Sequence, residues 1–409
     1  MKIFVFKIIF FVTLAFLSFS YNEESLAQDS IQPTDIEEIN EIAPLEGSNL
    51  HSEIEESRLP EINLQIRVAL LVPLSGQYAD VGKAMLNAAE LAVFDINYPG
   101  LILMPFDTAG NEESAKKAAE EAIKSGAKII LGPLFNSTTK SVVQIAEKNN
   151  INVISFSNDK TLLKNGVFLL SFNPAEQIER VVEFAHNRGV NKFSALVPDN
   201  PYGVATINEL TDTIGKKGLV FKKVEWYKKT DANLSKSITR VVSLPENVSS
   251  TDIPPKSEGL LIPEGGRTLL AIVSRLYSKG LDSHRFRMLG SGEWDDENLA
   301  REPKLSGSWF ATSPPEKRMV FEQNYKNTYG SEPIRIASLA YDAIALTGFI
   351  ISSGADFSRK SLVNKRGFSG INGVFRFKNN GLAERGLAVI EMNDGKFNIV
   401  DPAPENFTD

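Results

Sequence analysis

The sequence contains no cysteine. Disulfide frameworks are therefore excluded, and so is a lipid-attachment cysteine behind an export signal. A secreted chain without disulfides must be stable through core burial alone, which 409 residues permit. Extracellular eukaryotic proteins usually carry disulfides, so this absence points to a bacterial periplasm. Histidine is nearly as scarce, with only His51, His186 and His284. None has a second ligand at metal spacing, so no metal and no cofactor is expected. Runs of Arg and Lys interleaved with aromatics are missing too, which removes nucleic acid as a partner.

Nucleotide and hydrolytic chemistry also lack their signatures. "PLSGQYADVGKA" (73–84) looks at first like a phosphate-gripping loop. That loop needs four residues between its glycines and a Ser or Thr after the lysine. Here five residues separate Gly76 from Gly82, and Ala84 follows Lys83. Ser291 lies in Gly290-Ser291-Gly292, without the Gly-x-Ser-x-Gly frame of a nucleophile elbow. Asp295 and Asp296 are adjacent, and adjacent side chains do not converge on one atom. A non-catalytic protein is expected.

What is present begins with an export signal. Lys2 and Lys7 precede the apolar run Ile8 to Ser20, and Ser25-Leu26-Ala27 offers a small-x-small cleavage site. Residues 1–27 are expected to be a signal peptide leading to the periplasm. The alternative is an uncleaved inner-membrane anchor, the only expected membrane contact. Residues 28–63 follow as an acidic tether expected to be disordered. Between Asn22 and Ile62 there are twelve carboxylates against the single base Arg58, while the chain as a whole carries −7. The remainder is thus close to neutral.

From Ile66 the text alternates strand and helix. "IRVALLVPL", "LILMPFDT", "KIILGPL" and "INVISFS" are apolar, β-branched runs, separated by helical periods such as "NEESAKKAAEEAIKSGA". Such alternation with short loops specifies parallel sheets flanked by helices. The pattern restarts after Asn173-Pro174, which predicts two similar lobes. One lobe is expected over about 64–173 plus 313–367, the other over about 174–312 plus 368–402. In open α/β sheets ligands bind at the carboxyl ends of strands, often against helix N-termini. The small polar or acidic groups at those ends are the candidate cleft residues: Ser75, Gly76, Asn136, Ser137, Thr138, Ser157, Asn158, Tyr202, Glu264, Glu293 and Trp294.

Several stretches carry a resemblance. "VPLSGQYADVGKAMLNAAELAVFDIN", "GAKIILGPLFNSTT", "VISFSND", "PDNPYG", "LIPEGG", "LGSGEWDD", "SLAYDAIAL" and "GVFRFKNNGLAERGLAVIEM" together resemble the type I periplasmic-binding fold of the leucine/isoleucine/valine-binding superfamily. Within it they look most like the penicillin-binding protein activator branch. The resemblance implies two Rossmann-like lobes joined by three crossings, with a hinge between them. It implies that the loop matching Asn136-Ser137-Thr138 holds a ligand carboxylate. By the same carry-over, Ser157-Asn158 helps hold an ammonium, and Tyr202 packs on the ligand. The acid that pairs with that ammonium in amino-acid binders falls at Gly292, with Glu293 one residue away. The second aromatic wall falls at Gly265. In the activator branch the partner is a peptidoglycan synthase; in the amino-acid binders it is a small polar ligand such as an amino acid, delivered to an ABC transporter.

Overall fold

The computed structural model describes residues 65–228, 230–243 and 256–407. The expected signal peptide and tether lie outside them. The apolar run at Ile66–Val72 forms β1, and its last five residues are all buried. It is followed by α1 (Ala79–Ile96), β2 (Leu101–Asp107), α2 (Glu112–Lys124), β3 (Ile129–Leu131), α3 (Asn136–Lys148), β4 (Val153–Ser155) and β5 (Val167–Leu169). These strands make one parallel sheet in the order β2-β1-β3-β4-β5. Crossovers from β1 run to opposite edges, so the sheet has a switch point between β1 and β3, where loop ends part and leave room for a ligand.

The second lobe repeats the plan. It contains α4 (Pro174–Asn187), β6 (Lys192–Pro198), α5 (Pro201–Lys217), β7 (Val220–Tyr227), α6 (Asp231–Val242), β8 (Glu258–Leu261), α7 (Gly266–Ser278), β9 (Phe286–Gly290), α8 (Glu297–Ala300) and β10 (Ser308–Thr312). Its parallel strands run β7-β6-β8-β9-β10, the same order as in the first lobe. The chain then returns through α9 (Pro315–Tyr329), α10 (Ala337–Ser352) and α11 (Arg359–Leu362), with the three-stranded sheet β11 (Phe368–Gly370), β12 (Gly373–Phe377) and β13 (Ala383–Arg385). Finally β14 (Ala388–Asn393) adds antiparallel to β10, and β15 (Lys396–Asp401) antiparallel to β14.

Both sheets are packed on both faces, as a parallel sheet requires. In the first lobe α1, α9 and α10 cover one face, with α2 and α3 on the other. In the second lobe α6 and α7 cover one face, with α4 and α5 on the other. The tail corrects one expected boundary. Phe368, Phe375, Phe377 and Ala383 are buried in the first lobe's core, and Leu382 bridges to Leu169 of β5. Only β14 and β15, not the whole of 368–402, belong to the second sheet. The strand of aromatics at 373–377 finds its apolar partners beside β5, so the crossing to the second lobe comes at Gly386-Leu387.

Candidate functional site in the interlobe cleft

The loops after β1, β3, β4 and β5 surround a cavity of about 710 Å³ on the first lobe. Its position is the switch point of the sheet, and its size suits a small molecule. Aromatics dominate the walls: Tyr78, Phe135, Phe156 and Phe172. The Tyr78 and Phe135 rings lie 4.6 Å apart, centre to centre. Ile336 and Leu339, at the start of α10, close the hinge end.

Polar groups enter this apolar bowl at few points. Asn136 begins α3, whose N-cap Phe135 has no side chain able to cap the helix. The first amides of α3 are thus left without a side-chain cap at the positive end of the helix, where Asn136 lines the cavity. The Asn136 Oδ1 is buried without a hydrogen-bond partner among the described residues. Ser157 and Asn158 line the same cavity, as do Asp159 and Ser171. A chain of bonds holds that loop rigid. Ser155 Oγ donates to the Pro133 carbonyl at 3.0 Å and accepts from the Ser157 N–H at 3.1 Å, and Ser157 Oγ accepts from the Asp159 N–H at 3.2 Å. Asp159 accepts from the Thr161 N–H and hydroxyl, and the hydroxyl first of all holds its carboxyl below the usual range.

Strand ends of the second lobe form a separate cluster of phenols and acids. The Tyr202 hydroxyl pairs with Ser291 Oγ at 2.9 Å. Burial first, with Glu293 and Glu264 adding to it, pushes the Tyr202 phenol up to about 12. Tyr227 donates its hydroxyl to Glu264 Oε2 at 2.5 Å, and burial together with that bond raises its phenol far above the usual value. Glu293 is exposed.

The expected site residues thus divide. Asn136, Ser157 and Asn158 meet in one cavity. Tyr202, Glu264 and Glu293 gather on the opposite lobe. Ser75 and Gly76 do neither: they are exposed, and Asp107 accepts the N–H groups of Leu74, Ser75 and Ala109 to hold that turn. Ser137 is exposed outside the cavity, and Thr138 is buried with its hydroxyl turned back to the Phe135 carbonyl at 3.0 Å. Trp294 lies in the second core with no exposed surface, and its indole N–H donates to the Ile262 carbonyl at 3.0 Å. It forms no wall of a cleft. Sequence reasoning missed Tyr78, Phe135, Phe156 and Phe172, although each follows a strand end by a few residues. An aromatic there is the available signal.

The two positions onto which the resemblance carried an ammonium-pairing acid and a second aromatic wall, Gly292 and Gly265, have close neighbours. A Cβ at Gly292 would run into the Gln177 amide, whose Oε1 accepts the Gly292 N–H at 2.8 Å. A Cβ at Gly265 would overlap the backbone carbonyl of Glu293. Among the described residues no group of three or more His, Cys, Asp or Glu side chains could hold a metal, and no helix is long and apolar enough to cross a membrane.

Comparison with known proteins agrees with this fold. The sequence pattern of the family described as Periplasmic binding protein matches residues 65–396. An uncharacterized protein of Rickettsia prowazekii, RP748, is 23% identical over 197 residues, covering 48% of this chain and 53% of that protein. The chain spans about half the length of that curated relative. Among solved structures, a putative branched-chain amino acid ABC transporter protein from Rhodospirillum rubrum superposes with a TM-score of 0.69 at 16% identity, covering 82% of this chain and 100% of that one. The C-domain of LpoA (YraM) from Haemophilus influenzae, described as a regulator of PBP1A, superposes with a TM-score of 0.64 at 18% identity, covering 82% and 99%.

Proposed function

The chain belongs to the periplasmic binding protein family, and from that premise we propose that it is a non-catalytic periplasmic protein that docks on and stimulates a bifunctional peptidoglycan synthase. The observation carrying this reading is the pair Gly265 and Gly292. Where the resemblance puts an ammonium-pairing acid this chain has Gly292 against the Gln177 amide, and where it puts the second aromatic wall it has Gly265 against the Glu293 carbonyl. An amino-acid ammonium in such a cleft would have to pair with Asp159, Glu264 or Glu293 instead, and left unpaired and buried it would cost several kcal/mol. The two lobes are nonetheless complete, as a docking body requires. The likeness to the LpoA C-domain supports the same reading. So does a groove of about 760 Å³ between α9 and the second lobe, bordered by Met319, Pro315 and Phe397.

A second reading rests on the aromatic cavity of the first lobe: a solute receptor for an ABC transporter of branched-chain or other amino acids. One pair of measurements separates them. The full mature chain is added to a purified bifunctional synthase polymerising lipid-linked disaccharide, and in parallel its thermal unfolding is followed against an amino-acid panel. The activator reading expects a several-fold rise in polymerisation and no saturable thermal shift. The receptor reading expects no change in polymerisation. It also expects one ligand to stabilise by about 2.7 kcal/mol at about a hundred times its dissociation constant.

A further inference from the structure

Two acid–base pairs span the hinge, and only one is made in this structure. The made pair centres on Asp295, which follows β9 in the second lobe. Its carboxylate takes Arg318 Nη2 at 2.9 Å from α9 and Arg335 Nη1 at 3.0 Å from the loop before α10, both packed on the first lobe. It also accepts from Thr312 Oγ1 at 2.8 Å.

The second pair is Glu176 and Arg385. Glu176 sits in the first turn of α4 in the second lobe, and Arg385 ends β13 in the first. Arg385 Nη1 holds Asp342 Oδ2 at 3.1 Å. Its Nε and Nη2 are buried and have no hydrogen-bond partner among the described residues. That edge of a guanidinium is the one that grips a carboxylate through two parallel bonds. Glu176 Oε1 is likewise buried without a partner, while the Arg385 backbone N–H already reaches its carboxyl. The charged groups facing Glu176 are Arg385 and Glu384 on β13 and Lys378 just past β12. Burial outweighs the two cations and pushes the Glu176 carboxyl up to about 7.

A single ring connects this pair to the cavity. Phe172, in the crossing between β5 and α4, lines the first-lobe cavity. The same ring carries the Arg335 guanidinium 4.8 Å and the Arg385 guanidinium 5.3 Å from its centre. One arginine from each pair therefore rests on one cavity wall.

We propose that Glu176 and Arg385 are a proton-controlled latch across the hinge: with Glu176 neutral the lobes keep the observed arrangement, and with Glu176 ionised its carboxylate takes the Nε/Nη2 edge of Arg385 and changes the lobe angle. The proton leaves to solvent. Pressure on Phe172 from anything seated in the cavity shifts the same balance. The inference does not depend on which partner the protein serves.

The absence of cysteine makes the test direct. Spin labels are placed through Lys116→Cys on α2 and Lys216→Cys on α5, both exposed, and the interlobe distance is measured in the full chain from about pH 5.5 to about pH 8.5. The expected result is a shift of about 2 Å or more with a midpoint near the Glu176 titration. In Glu176→Gln the acid-side distance should persist at every pH. The infrared band of a protonated carboxyl should disappear with the same midpoint, a readout needing no variant at Glu176. An unchanging distance in the wild type would overturn the proposal. So would a shift that survives in Glu176→Gln, or a carboxyl band that titrates elsewhere.

Discussion

Asp342 is fully buried in a helix that otherwise reads as apolar. Its carboxylate accepts from the Ile371 N–H at 2.8 Å, from Asn372 Nδ2 at 2.9 Å and from Arg385 Nη1 at 3.1 Å. Two chain segments, the β11–β12 turn and the end of β13, are thereby tied to α10, and every donor is out of water. Asp342→Asn keeps the shape but leaves the Arg385 cation without its charge partner. The expected loss is about 3 kcal/mol or more in urea unfolding. Nearby, Asp95 accepts from the Tyr341 hydroxyl at 2.7 Å on an exposed face. Asp95→Asn should cost less than about 1 kcal/mol in the same assay, because water replaces what is lost. The sequence "SLAYDAIAL" marks Asp342 as the one charge in an apolar helix. It cannot reveal that the partners lie about thirty to forty residues further on.

At the scale of elements, the stretch that resembled a phosphate loop has its explanation in packing. A Cβ at Gly82 in α1 would overlap the Pro73 carbonyl, and one at Gly203 in α5 would overlap the Pro198 carbonyl. In each lobe a proline ends or directly follows the first strand, and the following helix docks its glycine onto that carbonyl. Glycine is needed there for close approach of helix to strand. Gly215, in the same helix α5, has nothing within 4 Å of its would-be Cβ. Two substitutions in one helix should therefore have opposite signs. Gly203→Ala is expected to destabilise by about 2 kcal/mol or more, from overpacking. Gly215→Ala should stabilise by about 0.5–1 kcal/mol through helix propensity. Equal effects at the two sites in thermal unfolding would remove the close-approach argument. The strands and helices were legible beforehand because each depends on a short window of chain. The location of the aromatic strand at 373–377 was not, since its apolar face suits either lobe.

For the whole molecule, Asp295 is the principal ionic tie between lobes seen here. Its side chain is only 7% exposed, so its attraction for Arg318 and Arg335 is little screened. Asp295→Asn would leave those two arginines close together without an acid between them. The expected outcome is a loss of about 3 kcal/mol, with a larger radius of gyration in solution scattering and a broader calorimetric transition. An unchanged radius and a sharp transition would mean that apolar packing at the crossings sets the lobe angle.

Local pattern was enough to determine the alternation of strand and helix and the doubling into two lobes. These follow from residue type and spacing within about twenty residues, where backbone period and burial preference act directly. Tertiary structure alone decided which strand ends share a cavity. Tyr78, Phe135, Phe156 and Phe172 converge because the 2-1-3-4-5 strand order brings four separate loops to one switch point. It also decided that Thr138 and Trp294 turn inward. Whether a residue at a strand end faces solvent or core is set by the neighbouring elements' packing, which no local period encodes.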